Sequence, residues 1–489
     1  MNPPNQRSSS RDRPIALNLA LSFLIVFQFP ALPVLGSQEE NPPNILFLLA
    51  DDMRPDCIAA LGNERIRTPN LDRLVAEGMT FSRASCSYPI CVVSRSEMIT
   101  GRHGWENGIT GYRGAKFQPD QTFWAEALRD RGYETWHVGK WHVSGRPSTR
   151  GYLDLAGHFA GGGGKFWKEG QVDWKGFPIT GYRGWIFQSD DGKEKYPELG
   201  VGVTPDISTK FADAAISLIE RKPDKPWFCH VNFTAPHDPL FVPPGMEGKY
   251  QTETMELPKD FLPVHPFDHG NFDGRDEALL AWPRTEEAIK DLLRVYYSVI
   301  EDMDTQIGRI IEVLETTDQR ENTIIIFASD HGMACGSHGL RGKQNMYEHT
   351  INVPLIVTGP GIENGATTEA QIYLRDLYPT TCELAGIPIP SSVTAESFAP
   401  VLRGKASSSH EDIFGYFTDR QRMVRTDDGW KLIRYPQIDH WQLFDLNSDP
   451  FERFNLIDSP VPAHQAKFKL LREKLDGWRR ENNDPLLDR

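Results

Sequence analysis

The stretch N-I-L-F-L-L-A-D-D, residues 44–52, puts six consecutive apolar residues directly before two carboxylates, Asp51 and Asp52. Side chains alternate between the two faces of a strand, so a run without polar alternation reads as a strand buried on both faces. Three further runs follow the same pattern. Residues 134–139 lead into Lys140 and His142, residues 227–234 lead toward His237, and residues 323–329 lead into Asp330 and His331. Helical patterns lie between them at 70–77, closed by Gly78, at 122–131, closed by Gly132, at 206–221 and at 286–316. Alternation of this kind predicts an α/β sandwich with a large mixed, mostly parallel sheet. Ligands of such folds bind beyond the carboxyl ends of the strands, where each of these polar groups falls.

After about residue 391 the texture changes. Residues 422–426, 430–435 and 441–446 alternate and are separated by turn residues such as Asp427, Asp428 and Gly429, which predicts a small antiparallel meander. A charged helix from about 462 to 482 closes the chain. The expected organisation is a catalytic domain over 42–390 and a C-terminal subdomain over 391–489. Residues 144–205 are rich in glycine and carry Trp167, Trp174 and Trp185. They read as a surface insertion packed by its own aromatics, the alternative being a wall on which sugar rings stack. Residues 241–283, full of Pro, His and Asp, form a second long loop.

A chain of 489 residues can bury a large core. Its formal charge of -14 lacks the basic footprint of a nucleic-acid binder, and an anionic substrate would need a locally positive site. Arg7, Arg11 and Arg13 precede an apolar stretch at 15–35 that ends in Gly36 and Ser37, the order of a secretory signal peptide over 1–37. An uncleaved anchor is the alternative at this near-spanning length, weakened by Asn18, Gln28, Pro30 and Pro33. The expectation is a periplasmic or secreted protein with no stable membrane insertion after signal removal. Six single cysteines lack the spacing of a disulfide scaffold or a zinc site.

Adjacent carboxylates resist joint ionisation unless a cation sits between them. Asp51 and Asp52 could instead cap a helix or start a turn, but a second strand ends in Asp330 and His331, and two such ends converging on one crevice suit a hard divalent ion. In G-K-W-H, Lys140 and His142 are two residues apart, so an extended chain turns both to one side. The run C-V-V-S-R-S-E-M-I-T-G-R, residues 91–102, places a thiol at the mouth of a helix with Arg95 on the same face. Cys86, the rival nucleophile, has no arginine four residues on.

That run resembles the C-x-[PA]-x-R signature, followed by T-G, of the type I sulfatases in the alkaline phosphatase-like superfamily, with Val93 where Pro or Ala is usual. G-K-W-H, T-A-P-H-D-P, D-H-G, G-L-R-G-K-Q-N-M-Y-E and the segment W-Q-L-F-D-L-N-S-D-P-F-E-R-F-N-L continue the resemblance in family order over about residues 42–460. It implies that a formylglycine-generating enzyme converts Cys91 to formylglycine, whose hydrate is the nucleophile. It further implies that Asp51, Asp52, Asp330, His331 and residue 91 bind Ca2+, or Mg2+. Arg95 would activate the nucleophile, Lys140 and Lys343 hold the sulfate, His237 contact the substrate and His142 take the proton that releases sulfate. His331 stands where many members carry Asn, and nitrogen is a poorer calcium ligand than oxygen. The implied reaction is hydrolysis of a sulfate monoester, on a sulfated sugar, a polysaccharide or a small ester. Alternatives are a phosphate or phosphonate monoester hydrolase of the same superfamily, an inert secreted carbohydrate-binding homologue, and a thiol hydrolase pairing unmodified Cys91 with His142.

Overall fold

The run at 44–50 is strand β1 (Asn44–Ala50), and all seven of its residues are buried. The structure, a computed structural model, describes residues 42–111 and 116–484, so the signal-peptide expectation for 1–37 lies outside the described residues. Around β1 a ten-stranded sheet forms from β2 (Gly78–Ser85), β3 (Glu134–Lys140), β4 (Asp154–Ala160), β5 (Ile186–Phe187), β6 (Trp227–Asn232), β7 (Thr323–Ser329), β8 (Asn352–Thr358), β9 (Ala366–Thr368) and β10 (Ile372–Tyr373). The order is β10-β2-β8-β7-β1-β6-β3-β4-β5, with β9 also on β2. The five strands from β7 to β4 are mutually parallel, while β8 runs against β7 and β5 against β4.

Parity explains why β1 has no wet face. Ile45, Phe47 and Leu49 enter one core layer and Leu46, Leu48 and Ala50 the other. The second layer is covered by the helices Ile207–Ile219 and Glu286–Thr316, the latter capped by Thr285, whose hydroxyl accepts from the Ala288 amide at 3.2 Å. The first is covered by the helices Cys91–Thr100 and Trp124–Arg129 and by one face of a four-stranded antiparallel sheet. That sheet is β11 (Asp412–Phe417), β12 (Gln421–Thr426), β13 (Trp430–Tyr435) and β14 (His440–Asp445). Met423, Ile433 and Phe444 point into the main core, whereas Val424, Leu432 and Leu443 pack on Leu471 and Leu475 of the helix Pro462–Glu481.

Sheet register sets the functional rim. Ala50 lies opposite Ser329, Leu49 opposite Asn232, and Asn232 opposite Gly139, so the residues that follow emerge together at one edge. Strand β8 escapes the sequence reading because Pro354 demotes its run. The proline sits where the pairing with β2 shifts between Phe81 and Ala84, which removes the need for its missing N–H. All six cysteines are buried and free. Among the described residues no helix is long and apolar enough to cross a membrane.

Gly139 holds φ +84°, and a Cβ there would lie 2.1 Å from the Asn232 carbonyl oxygen. Gly139→Ala is expected to lower the denaturation midpoint markedly, strain and clash together costing at least about 2 kcal/mol, and to displace Lys140. An unchanged midpoint in chemical denaturation contradicts this close-packed rim.

Candidate active site

Cys91 is the first residue of its helix, behind the extended Ile90, and every residue of that helix is buried. Several of its polar members are paired: the Ser94 hydroxyl donates to the Asp330 carbonyl at 2.7 Å, the Ser96 hydroxyl to the Val92 carbonyl at 2.6 Å, and Glu97 accepts the Gly104 amide at 2.8 Å. Val93 points into the main core and not into the site, so its departure from Pro or Ala is a matter of packing in the first turn. The helix start aims its free amides, and the positive end of its dipole, at the rim.

Three carboxylates converge on the Cys91 sulfur. Asp51 Oδ1 is 3.3 Å from Sγ, and its Oδ2 accepts Lys140 Nζ at 2.5 Å and the Tyr182 hydroxyl. Asp330 accepts Arg95 Nε at 2.9 Å, while Arg95 Nη1 donates to Asn232 Oδ1 at 2.7 Å. Both oxygens of Asp52 accept Lys343 Nζ, at 2.8 and 2.9 Å. Asp52 itself has φ +70°, a conformation uncommon for any residue but glycine. It is clamped there from both sides: its amide donates to Asp330 Oδ1 at 3.2 Å and its carbonyl accepts the Tyr296 hydroxyl at 2.5 Å. Strain held this firmly is a mark of functional sites.

The imidazoles complete the cluster. His331 Nε2 lies 3.3 Å from Cys91 Sγ and its Nδ1 lies 3.2 Å from Asp52 Oδ1. His237 Nε2 is 3.7 Å from Asp52 Oδ2, and His142 hydrogen-bonds Cys91. Strand β3 ends at Lys140, so His142 reaches the site from the segment beyond the strand and not by strand alternation. Ligand atoms of Asp51, Cys91, Asp330 and His331 all lie within 4.8 Å of one another. Burial alone would raise the Cys91 thiol, but Lys140, Lys343, His331 and the His142 hydrogen bond bring it well below the ordinary range. Burial raises Asp330 to about 7 against the opposing pull of His331 and Arg95. Burial disfavours protonated His331, yet Asp330, Cys91 and Asp52 carry it up to about 9.

Cys91, Lys140, His142 and His237 form the floor of an open pocket of about 610 Å³. Its walls come from the sequence insertions. Thr180, Tyr182 and Trp185 belong to the segment read as a self-packed insertion; Tyr182 and Trp185 do pack on each other, ring centroids 5.0 Å apart, and all three also line the pocket. Asn271 and Arg275 come from the second loop, and Arg420 from the turn between β11 and β12. Sequence reasoning missed Tyr182 and Asn232. Asn232 carried the available signal, a polar residue at a strand's carboxyl end, whereas nothing local marks Tyr182 among the aromatics of its loop.

The sulfatase family profile matches residues 43–387, and that of the C-terminal region of N-sulphoglucosamine sulphohydrolase matches residues 336–481. The chain belongs to the sulfatase family. Among its relatives, an arylsulfatase of Clostridium perfringens is 29% identical over 89% of this chain and 95% of that protein. An N-acetylglucosamine-6-O-sulfatase of Bacteroides thetaiotaomicron is 26% identical over 92% of this chain and 88% of its own. Two solved structures share the fold. A protein captured with its substrate D-glucosamine-2-N,6-O-disulfate superposes with TM-score 0.72 at 23% identity, over 91% of this chain and 99% of that one. A phosphonate monoester hydrolase from Silicibacter pomeroyi gives 0.71 at 22%, over 91% and 96%. This sulfatase therefore has the α/β architecture of its family, with its pocket at the rim where the parallel strands end.

The Tyr182 hydroxyl donates to a fully buried carboxylate, a kind of bond worth about 1.5–3 kcal/mol. Tyr182→Phe should lower stability by about that amount and reduce turnover of an aryl sulfate by at least about tenfold. Wild-type stability and kinetics in the variant contradict a role for Tyr182 in holding Asp51.

Proposed function

We propose that this sulfatase is exported and removes sulfate from a sulfated sugar or polysaccharide, using a formylglycine that a maturation enzyme makes from Cys91 together with a divalent metal, calcium. The observation that carries the reading is the convergence of Cys91, Asp51, Asp330 and His331 within 4.8 Å, with Cys91 at the floor of an open pocket. Three buried carboxylates, a nitrogen and an oxygen at position 91 suit a hard cation. The acids Asp51, Asp52 and Asp330 already face three basic side chains, Lys140, Lys343 and Arg95, at hydrogen-bond distance. Adding a dication makes the floor net positive, which is what an anionic ester needs inside an acidic protein.

A divalent ion held by Asp51, Asp52, Asp330, His331 and the residue-91 oxygen would supply charge to a sulfate oxygen and to the attacking hydroxyl. Arg95 and the helix start orient that hydroxyl and favour negative charge beside it. A hydrated formylglycine at position 91 would supply the nucleophile toward sulfur, and the departing alcohol would need a proton. His237 lines the pocket, so it is assigned that proton, while Lys140 and Lys343 are assigned the sulfate oxygens. His142, hydrogen-bonded to residue 91, would accept the proton whose removal lets sulfate depart from that residue. The leaving group meets Trp185, a stacking surface, and the polar side chains of Asn271, Arg275 and Arg420, which favour a hydroxylated ring over a bare aryl group.

The test compares purified enzyme on sulfated monosaccharides, 4-nitrophenyl sulfate and phenyl phosphonate monoesters. The sulfate esters should be preferred, and a preference for the phosphonate overturns the assignment. Asp51→Ala should lose bound calcium and turnover together, as measured by elemental analysis and initial rates. Lys343→Ala should keep the metal and lose about 10²–10³-fold in kcat, the usual effect of removing one group that stabilises developing charge. Full activity with stoichiometric metal in Asp51→Ala contradicts the metal assignment, and unchanged kinetics in Lys343→Ala contradict the sulfate-holding role.

A further inference from the structure

A second cluster of ligand-type side chains lies outside the catalytic floor. Asp260, in the loop at 241–283, meets His338, in the segment after β7, and His349, in the short helix Glu348–Ile351 before β8. All three are 6–8% exposed, and one ligand atom from each falls within 4.8 Å of the others. His338 Nε2 is 3.3 Å from Asp260 Oδ2 and His349 Nδ1 is 3.9 Å from the same oxygen. Ligands around a tetrahedral zinc, with bonds of about 2.0–2.2 Å, stand about 3.3–3.6 Å apart. Both distances to Asp260 Oδ2 are within a few tenths of an ångström of that spacing.

The groups behind the ligands point the same way. Asp260 Oδ1 is held by the Ser337 hydroxyl at 2.8 Å, which leaves Oδ2 turned to the two rings. The ring of His338 stacks on Tyr347 at 3.8 Å, and its other nitrogen donates to the Phe451 carbonyl, which fixes the lone pair on Nε2. Buried His338 Nε2 and both ring nitrogens of His349 have no hydrogen-bond partner. Unpaired buried polar atoms are costly, and three in one place call for a ligand. The neighbouring cations each have an acid partner of their own, Arg54 with Asp56 at 2.8 Å and Lys431 with Glu348 and Glu452 at 2.9 and 2.7 Å. Burial pushes His338 down to about 3 and His349 well below its ordinary value, and a neutral imidazole is the form that binds a metal.

We propose that Asp260, His338 and His349 form a second, structural metal site that takes Zn2+ or a similar borderline transition ion. Two nitrogens and one oxygen select against calcium, which the oxygen-rich catalytic floor suits better. The ion ties three segments distant in sequence, and two of its ligands bracket Lys343, so it stiffens the loop that delivers this lysine to Asp52.

The test loads full-length protein with Zn2+, desalts it and locates the metal by anomalous scattering at the zinc edge. The expected result is a peak between Asp260, His338 and His349. In solution, wild-type protein should hold one zinc equivalent more than His349→Gln or Asp260→Asn, with calcium content unchanged, and added Zn2+ should raise the melting temperature of the wild type but not of the variants by about 2–4 °C. Co2+ in place of zinc should give tetrahedral visible absorption that His349→Gln loses. Should the variants fail to fold, the wild-type anomalous map decides. No peak at the three side chains, or zinc content unaltered in both folded variants, overturns the site, and neither result bears on the sulfatase reading.

Discussion

Three carboxylates buried at the ends of neighbouring strands are the constraint on which the rest of this structure depends. Asp51, Asp52 and Asp330 are each fully buried, and isolated charges in such surroundings would be prohibitively costly. Every conspicuous feature of the rim answers that cost. Arg95 arrives on the Cys91 helix, Lys140 on β3 and Lys343 on the loop after β7, and each brings its charge to a different acid. The unusual backbone of Asp52 persists because Asp330 and Tyr296 fix its amide and carbonyl. Pairing of this kind gives a site whose parts hold one another in place, so that little reorganisation is left for the moment when charge develops on a substrate.

Much of this was legible in the chain itself, for a physical reason. A strand buried on both faces must be apolar throughout, which makes β1, β3, β6 and β7 visible as runs and makes the first polar residue after each run conspicuous. Asp51, Lys140 and Asp330 were found this way, and register then brings them to one edge. The helix 286–316 was legible from its period and appears over the same residues. Other parts carry no such signal. Pro354 hides β8 in a strand that tolerates it only at a break in register. Tyr182 reaches Asp51 from a loop whose course is set by tertiary packing, and Asp260, His338 and His349 come together from three separate segments. Cys91 and Arg95 were named from the resemblance of their run to the family signature, helix spacing adding only that they share a face, and their distances to Asp51 and Asp330 required the fold.

The division between floor and wall also has a physical origin. The floor sits on strand ends and a buried helix, elements that hold side chains rigidly, and its residues are the ones proposed to serve the sulfate group common to all possible esters. The wall is built from long loops and from the turn between β11 and β12, where sequence can vary without disturbing the sheet. The small sheet is thus more than an appendage: one of its faces seals the main core while its turn offers Phe417 and Arg420 to the pocket.

The account turns on what Cys91 becomes, because a thiol cannot use the release step assigned to His142. The direct measurement is mass spectrometry of the peptide that contains residue 91, taken from a preparation whose sulfatase activity has been quantified. The account predicts that active protein has lost the sulfur at this position and carries an aldehyde that a hydrazide probe labels, with the labelled fraction tracking specific activity across preparations. Full sulfatase activity from protein whose Cys91 is an intact thiol contradicts it.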